Sequence, residues 1–244
     1  MSNPKVAIIT GGSRGIGASI SRRLAIEGFN IAINYVSNSE QAINLVKELT
    51  SLGHKAIAIQ CDIASSDSVK HLFNQVEARL GKVDILVNNA GCMQLASIAN
   101  SSDELFEKQI ETNLKGTFNT LREASKRLNQ GGRIINMSSS VLGLKLEEYG
   151  IYSATKAAVE ALTSILAKEL KGTEITVNAI APGPTATELF LHGKSAQQIQ
   201  HLSQMNPMQR LGSPDDIGNI VAFLSSPDSH WINGQVIRAN GGMI

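Results

Sequence analysis

The sequence predicts an α/β domain, a doubly wound sheet of seven parallel strands with helices on both faces. Three observations predict it. Short apolar, β-branched runs alternate with longer amphipathic stretches along the whole chain. Such runs read as strands covered on both faces, and the 3.6-residue period between them reads as the covering helices. A glycine-rich turn joins the first apolar run to the first helical stretch. No repeat, low-complexity tract or linker divides the 244 residues, so one domain over 1–244 is expected.

The elements follow in order. The run VAII (6–9) precedes a helical stretch at about 15–27, and NIAIN (30–34) precedes one at about 38–51. AIAIQ (56–60) leads to a helix at about 66–79, and VDILV (83–87) to a long one at about 102–129. RIINM (133–137) leads to a helix at about 151–170. ITVNAI (175–180) enters an irregular region and then a helix at about 214–225, and GQVIRA (234–239) is the last strand. Strands separated by helical spacers pair in parallel through right-handed crossovers, which gives a Rossmann-type domain. The irregular segment at about 181–206 follows the carboxyl end of a strand, where ligands bind in such sheets. It reads as a mobile segment covering a substrate, or else as a disordered insertion.

Composition narrows the function. Hydrophobic residues make up 42% and charged residues 18%, which excludes a disordered chain. The formal charge is +1 with no long basic or acidic block, so a nucleic-acid surface is not expected. The longest uncharged run, 85–102, contains Asn88, Asn89, Gln94 and Asn100 and is too polar to span a bilayer. Cys61 and Cys92 stand outside any CxxC spacing and the five histidines lack ligand spacing, so neither a disulfide framework nor a metal site is expected. The start, MSNPKVAIIT, lacks the apolar region of a signal peptide. A cytoplasmic enzyme is the compositional expectation.

The stretch IITGGSRGIGASI carries the first chemical signal. Gly11, Gly15 and Gly17 remove Cβ atoms where the backbone must turn tightly and approach a pyrophosphate. The helix that follows offers free N–H groups and a positive dipole end to an anion. Ser13, Arg14 and Ile16 complete this loop. An NAD-binding fold places an acid near the end of its second strand, where it meets the ribose hydroxyls. No acid occurs at Asn34, Tyr35, Val36 or Ser37, and Arg14 supplies charge suited to a 2′-phosphate. A second signal is GIYSATKAAVEAL, which puts Tyr152 and Lys156 four positions apart on one face of a helix. A lysine about 4 Å from a phenol, with the helix dipole, supplies roughly the 3–4 kcal/mol needed to lower its pKa by about two to three units.

TGGSRGIG, NNAG (88–91), TNLKGTF, NMSSS, YSATK and APGPTATEL stand in one order, and in these motifs the chain closely resembles the short-chain dehydrogenase/reductase family over essentially its whole length. The resemblance implies a catalytic set of Asn113, Ser139, Tyr152 and Lys156, with Ser138 and Ser140 leaving the serine locally ambiguous. It implies NADP(H) as cofactor, a phenol that passes a proton to the substrate oxygen, and a local distortion of the helix at Asn113 that frees its carbonyl for a water linking to Lys156. Cofactor contacts are expected from the loop residues already named and from Asn34, Tyr35 and Ser37. Asp62 and Ile63 are expected beside the adenine, although Asp62 also suits the cap of the next helix. Asn89, Ala90, Gly91, Tyr152 and Lys156 are expected at the ribose, and Pro182, Gly183, Thr185 and Thr187 at the nicotinamide and diphosphate. The nearest style is that of 3-oxoacyl-acyl-carrier-protein reductases and NADPH-dependent aldehyde and ketone reductases. The arginines by which the former meet their acidic carrier are replaced by Gln130 and Thr173, with Lys126, Arg127, Arg133 and Lys171 nearby as substitutes. The expected substrate is thus a 3-oxoacyl thioester or a related ketone or aldehyde. A sugar or polyol dehydrogenase and a silent NADP-sensing module are the alternatives. The apolar helix after Tyr152 and the family's habit imply a homotetramer.

Overall fold

A computed structural model describes residues 4–244. Its sheet has the strands β1 (Val6–Ile9), β2 (Asn30–Tyr35), β3 (Ala56–Gln60), β4 (Ile85–Asn88), β5 (Arg133–Met137), β6 (Thr176–Pro182) and β7 (Val236–Ala239). All pair in parallel, in the order β3-β2-β1-β4-β5-β6-β7. The chain moves outward from β1 to β3, then returns to pair β4 against the other side of β1. The reversal leaves a crevice above the carboxyl ends of β1 and β4.

The helices are α1 (Gly15–Ile26), α2 (Ser39–Ser51), α3 (Ser66–Leu80), α4 (Asp103–Gln109), α5 (Gly116–Arg127), α6 (Val141–Leu144), α7 (Gly150–Glu169), α8 (Glu188–Leu191), α9 (Ala196–Gln204) and α10 (Pro214–Ser225). One apolar layer joins the sheet to α1, α2 and α10 through Leu24, Leu45 and Val221. The other joins it to α3, α5 and α7 through Leu72, Leu121 and Leu166. Both faces are therefore covered, which is why the strands are continuously apolar.

Strand and helix positions agree with the sequence-based expectation to within a few residues at most ends. Two segments differ. The single helix expected over 102–129 is interrupted between α4 and α5 by a π-helical turn, Ile110–Lys115. The segment at 181–206 is more ordered than its turn-rich sequence suggests. β6 extends to Pro182, and α9 opens with a capping box in which Ser195 and Gln198 satisfy each other's backbone N–H groups. No helix among the described residues is long and apolar enough to cross a membrane.

Candidate active site

Caps decide which helix ends are open to a ligand. Asn38, Ser65, Ser102, Thr187, Ser195 and Ser213 each accept a hydrogen bond from the first turn of the helix they precede. α1 and α7 have no side-chain cap; Arg14 and Tyr149 stand at those positions. The first turn of α1 also lacks an acid, so its N–H groups and dipole face the crevice unopposed.

The loop before α1 is shaped for close approach. Gly11 and Gly15 have φ of 58° and 51°, the left-handed region that glycine enters without strain. A Cβ at Gly17 would overlap the Gly11 carbonyl and lie 2.6 Å from Asn89 Nδ2. Thr10 Oγ1 accepts from the N–H groups of Asn89 and Ala90, each at 3.0 Å. Asn89 Nδ2 donates to the carbonyls of Thr10 and Gly11. The ends of β1 and β4 are thus tied together, with the glycine loop held between them. The free helix end and the absent Cβ atoms fit a dinucleotide pyrophosphate.

The loop opens into a cavity of about 360 Å3 lined by residues from after β1, β2, β4, β5 and β6. Ser13, Arg14, Ile16, Tyr35, Ser37, Asn89, Ala90, Gly91, Pro182, Gly183, Thr185 and Thr187 all reach it, with the loop glycines. Some expected contacts do not. Asn34 is buried, and its side chain accepts from the Gly11 N–H and donates to the Cys61 carbonyl, so it braces the loop. Asp62 Oδ1 accepts from the Ala64 N–H, and Ile63 is buried beneath Gly116, so neither lines the cavity. Asp62 is not the cap of α3 either, because Ser65 holds that place. Sequence reasoning missed Val36, Asn38, Met93, Leu144, Leu146, Tyr149, Leu189, Phe190 and Leu202 in the lining. They carry no motif; position after a strand's carboxyl end was the available signal.

The catalytic candidates converge on the carboxyl end of β5. Tyr152 and Lys156 project from α7, with Lys156 Nζ 5.6 Å from the centre of the Tyr152 ring. The lysine is buried and donates to the Met137 carbonyl at 2.8 Å. The three serines now separate. Ser138 donates to Glu160 Oε1 and Ser140 to the Ala181 carbonyl, and both are buried. Ser139 Oγ accepts from the Val141 N–H at 3.3 Å, which leaves its own O–H to donate into the cavity. Asn113 sits in the π-helical turn, fully buried. Its amide exchanges hydrogen bonds with the backbone of Cys92 on both sides, at 2.9 Å each, and donates to Thr155. Its carbonyl accepts from the Thr117 hydroxyl at 2.8 Å. Gly91 lies over this centre, where a Cβ would meet Asn113 Oδ1 at 3.3 Å and Lys156 Nζ at 3.7 Å.

The chain matches the family model described as enoyl-(acyl carrier protein) reductase over residues 11–244. It is 42% identical to NADPH-dependent aldehyde reductase 2, chloroplastic, of Arabidopsis thaliana, over 98% of this chain and 94% of that protein. It is 40% identical to the 3-oxoacyl-acyl-carrier-protein reductase of Staphylococcus aureus, over 100% and 99% of the two chains. A solved short chain dehydrogenase from Burkholderia cenocepacia in complex with NADP superposes with a TM-score of 0.93 at 34% identity, covering 99% of this chain and 98% of that one. The chain belongs to the short-chain dehydrogenase/reductase family.

Within this short-chain dehydrogenase/reductase site, burial governs the charges. It pushes the Tyr152 phenol up to about 12, with the Ser139 hydroxyl opposing the shift, and holds the Lys156 ammonium down at about 8. The lowered phenol expected from the four-residue spacing is not what the chain alone provides. The lysine directs its proton to Met137, and removal from water outweighs its attraction for a phenolate. Cys61 is buried and its thiol is raised to about 11, which makes it an inert packing group.

The expected substitutes for the carrier-binding arginines are engaged elsewhere. Arg127 pairs with Glu77 at 2.6 Å and with Glu123 at 3.6 Å. Arg133 is buried, donating to the Gly131 and Gly132 carbonyls. Only Lys126 and Lys171 of that group stay exposed.

Proposed function

We propose that this chain reduces an apolar ketone or aldehyde to an alcohol with NADPH, using Tyr152 as the proton donor. The observation that carries the reading is a phenol held protonated beside the free Ser139 hydroxyl, at the inner end of a cavity that begins on a phosphate-binding loop. Bound NADPH would supply the reducing equivalent to the carbonyl carbon. Gly11, Gly15, Gly17 and the start of α1 would hold its pyrophosphate, and Arg14, with Ser37 beside it, a 2′-phosphate. Arg14 is exposed at the cavity mouth and its only ionic neighbour among the described residues is Glu188, 4.0 Å away. The Ser139 O–H would grip the substrate oxygen, and Tyr152 would release its proton there as negative charge develops. Lys156 would hold the ribose side and assist recharging of the phenol.

The apolar part of the lining supports the substrate class. Met93, Val141, Leu144, Leu146, Leu189 and Phe190 come from the loops above β4, β5 and β6. Sugar hydroxyls would find no matching donors or acceptors there. The engagement of Arg127 and Arg133 favours a free carbonyl compound over one carried on an acidic protein. A stripe of Ala154, Ala157, Ala161 and Ile165 is exposed along α7 and supports a homotetramer, which light scattering would measure. The functional test is NADPH oxidation with hexanal, benzaldehyde, an acetoacetyl thioester and a polyol in the reverse direction. Tyr152→Phe should lower turnover by about 10^3-fold or more while NADPH still binds. Near-normal turnover in that variant, or activity confined to polyols, would overturn the proposal.

A further inference from the structure

We propose that the segment Asn240–Ile244 is a positioning element for the substrate site, and that Ile244 sets the wall formed by α6. This rests on the carbonyl-reductase reading above for its effect on catalysis. The geometry stands without it.

α6 is a single turn of four residues, with no side-chain cap at its start and Lys145 in the left-handed region at its end. A helix this short does not hold itself. Yet Val141 N–H fixes the Ser139 hydroxyl oxygen, and Val141 and Leu144 face the cavity. The turn must be braced from outside; α7 packs against it, the Ser140 N–H donates to the Pro182 carbonyl, and a further set of contacts comes from 240–244. Asn240 Nδ2 donates to Ser140 Oγ at 3.0 Å, and Ser140 in turn holds the Ala181 carbonyl. Asn240 Oδ1 accepts from the N–H groups of Gly242 and Met243, which curls the segment back onto α6. There the Ile244 side chain lies flat on Gly143; a Cβ at Gly143 would overlap Ile244 Cδ1 and lie 3.4 Å from its Cβ and Cγ1.

The same segment touches the other wall. A Cβ at Gly241 would lie 2.8 Å from Asn206 Oδ1, and one at Gly242 would lie 3.3 Å from Pro207 Cγ. Asn206 is buried and closes the turn after α9 by donating to the Ser203 and Arg210 carbonyls. One short stretch therefore wedges between the turn that carries Ser139 and the segment that covers the cavity. Neither Asn240 nor Ile244 lines the cavity, so both act through α6.

Gly143→Ala, Ile244→Ala and the double variant test this in the full chain. The added methyl should displace α6 through Ile244, and trimming Ile244 should let α6 relax. Each single change should lower kcat/KM for hexanal by about tenfold or more, because small misplacements of a positioned donor are costly. NADPH affinity should stay within about twofold of the parent, since the phosphate loop is untouched. The double variant should recover most of the loss, which a general structural defect would not do. Amide exchange over 139–145 should quicken by roughly tenfold in Ile244→Ala, with β5 and α7 unchanged. The proposal fails if exchange over 139–145 is unaltered in Ile244→Ala, or if the double variant is as impaired as the worse single one. If the parent chain turns over no carbonyl, the reductase reading fails, and the exchange data alone decide the bracing role.

Discussion

Lys156→Met should make the cofactor-free chain more stable at neutral pH. The lysine is 5% exposed, and burial holds its ammonium at about 8 against an ordinary 10.5. At about 1.36 kcal/mol for each tenfold change in proton affinity, that separation costs the fold about 3 kcal/mol while the amine is charged in both states. Methionine removes the cost and fills similar space. It also forfeits the bond to the Met137 carbonyl and leaves that acceptor buried, which costs about 1–2 kcal/mol. The net gain at pH 7 is about 2 kcal/mol, or about 4–8 °C in Tm for a chain of this size. The sign depends on pH. Below pH 8 both native and unfolded chains hold the proton and the full cost is present. Between 8 and 10.5 the unfolded chain holds a proton that the native one has released, so the parent gains stability as pH rises. Near pH 10 the residual cost is under about 1 kcal/mol, and the variant should be the less stable by about 1 kcal/mol. Thermal unfolding of both proteins without cofactor at pH 7 and pH 10 reads this crossing. A variant that is destabilised equally at both values would refute the reasoning, and would mean that the ammonium is not desolvated.

Four further changes probe the site. Ser139→Ala should lower turnover by about 10^2–10^3-fold without changing Tm, whereas Ser140→Ala should cost about 1–3 kcal/mol of stability; equal kinetic effects would remove the distinction between them. Arg14→Ala should weaken NADPH by about 1.5–3 kcal/mol and leave NADH almost unaffected, measured as the ratio of their KM values. Gly17→Ala should abolish titratable nucleotide binding and lower Tm, because its methyl meets the Gly11 carbonyl; calorimetry against NADPH checks it.

Most of the fold was legible because local signals agree with the topology. VAII, AIAIQ and RIINM are strands where their apolar runs say so, and Ser65 and Ser213 cap the helices that follow. The candidate site cluster was legible because the spacing of Tyr152 and Lys156 is a helix period and Ser139 ends a strand. What failed had a common cause. Polar type shows that a side chain can bond, but not which partner reaches it first. Asn34 looks like a nucleotide contact, but it is buried and bonds to the Gly11 N–H and the Cys61 carbonyl. Arg127 and Arg133 look like free surface charge and are claimed by Glu77 and by two carbonyls. The π-helical turn at 110–115 matches the helix distortion that the resemblance implied at Asn113, whereas the bond from the Cys92 N–H to Asn113, across 21 positions, is recorded by no local pattern in 102–129.

The largest departure lies in the phenol, and it bears on proton transfer. A tyrosine at about 12 is ionised in only about one molecule in 10^5 at pH 7, a hundredfold less than an ordinary phenol. Such a group stays protonated at neutral pH and gives its proton up less readily than an ordinary phenol. In the proposed reaction, burial alone therefore makes release of that proton to a new alkoxide harder, so the phenolate needs stabilisation that the apolar surroundings withhold. The same burial that disfavours phenolate makes the Lys156 ammonium, at about 8, a readier proton source than an exposed lysine. The two shifts act in opposite senses, one holding the proton on Tyr152 and the other loosening it from Lys156. The apolar lining around them is thus part of the chemistry, since opening it to water would return both groups toward their ordinary values and bring the phenolate within easier reach.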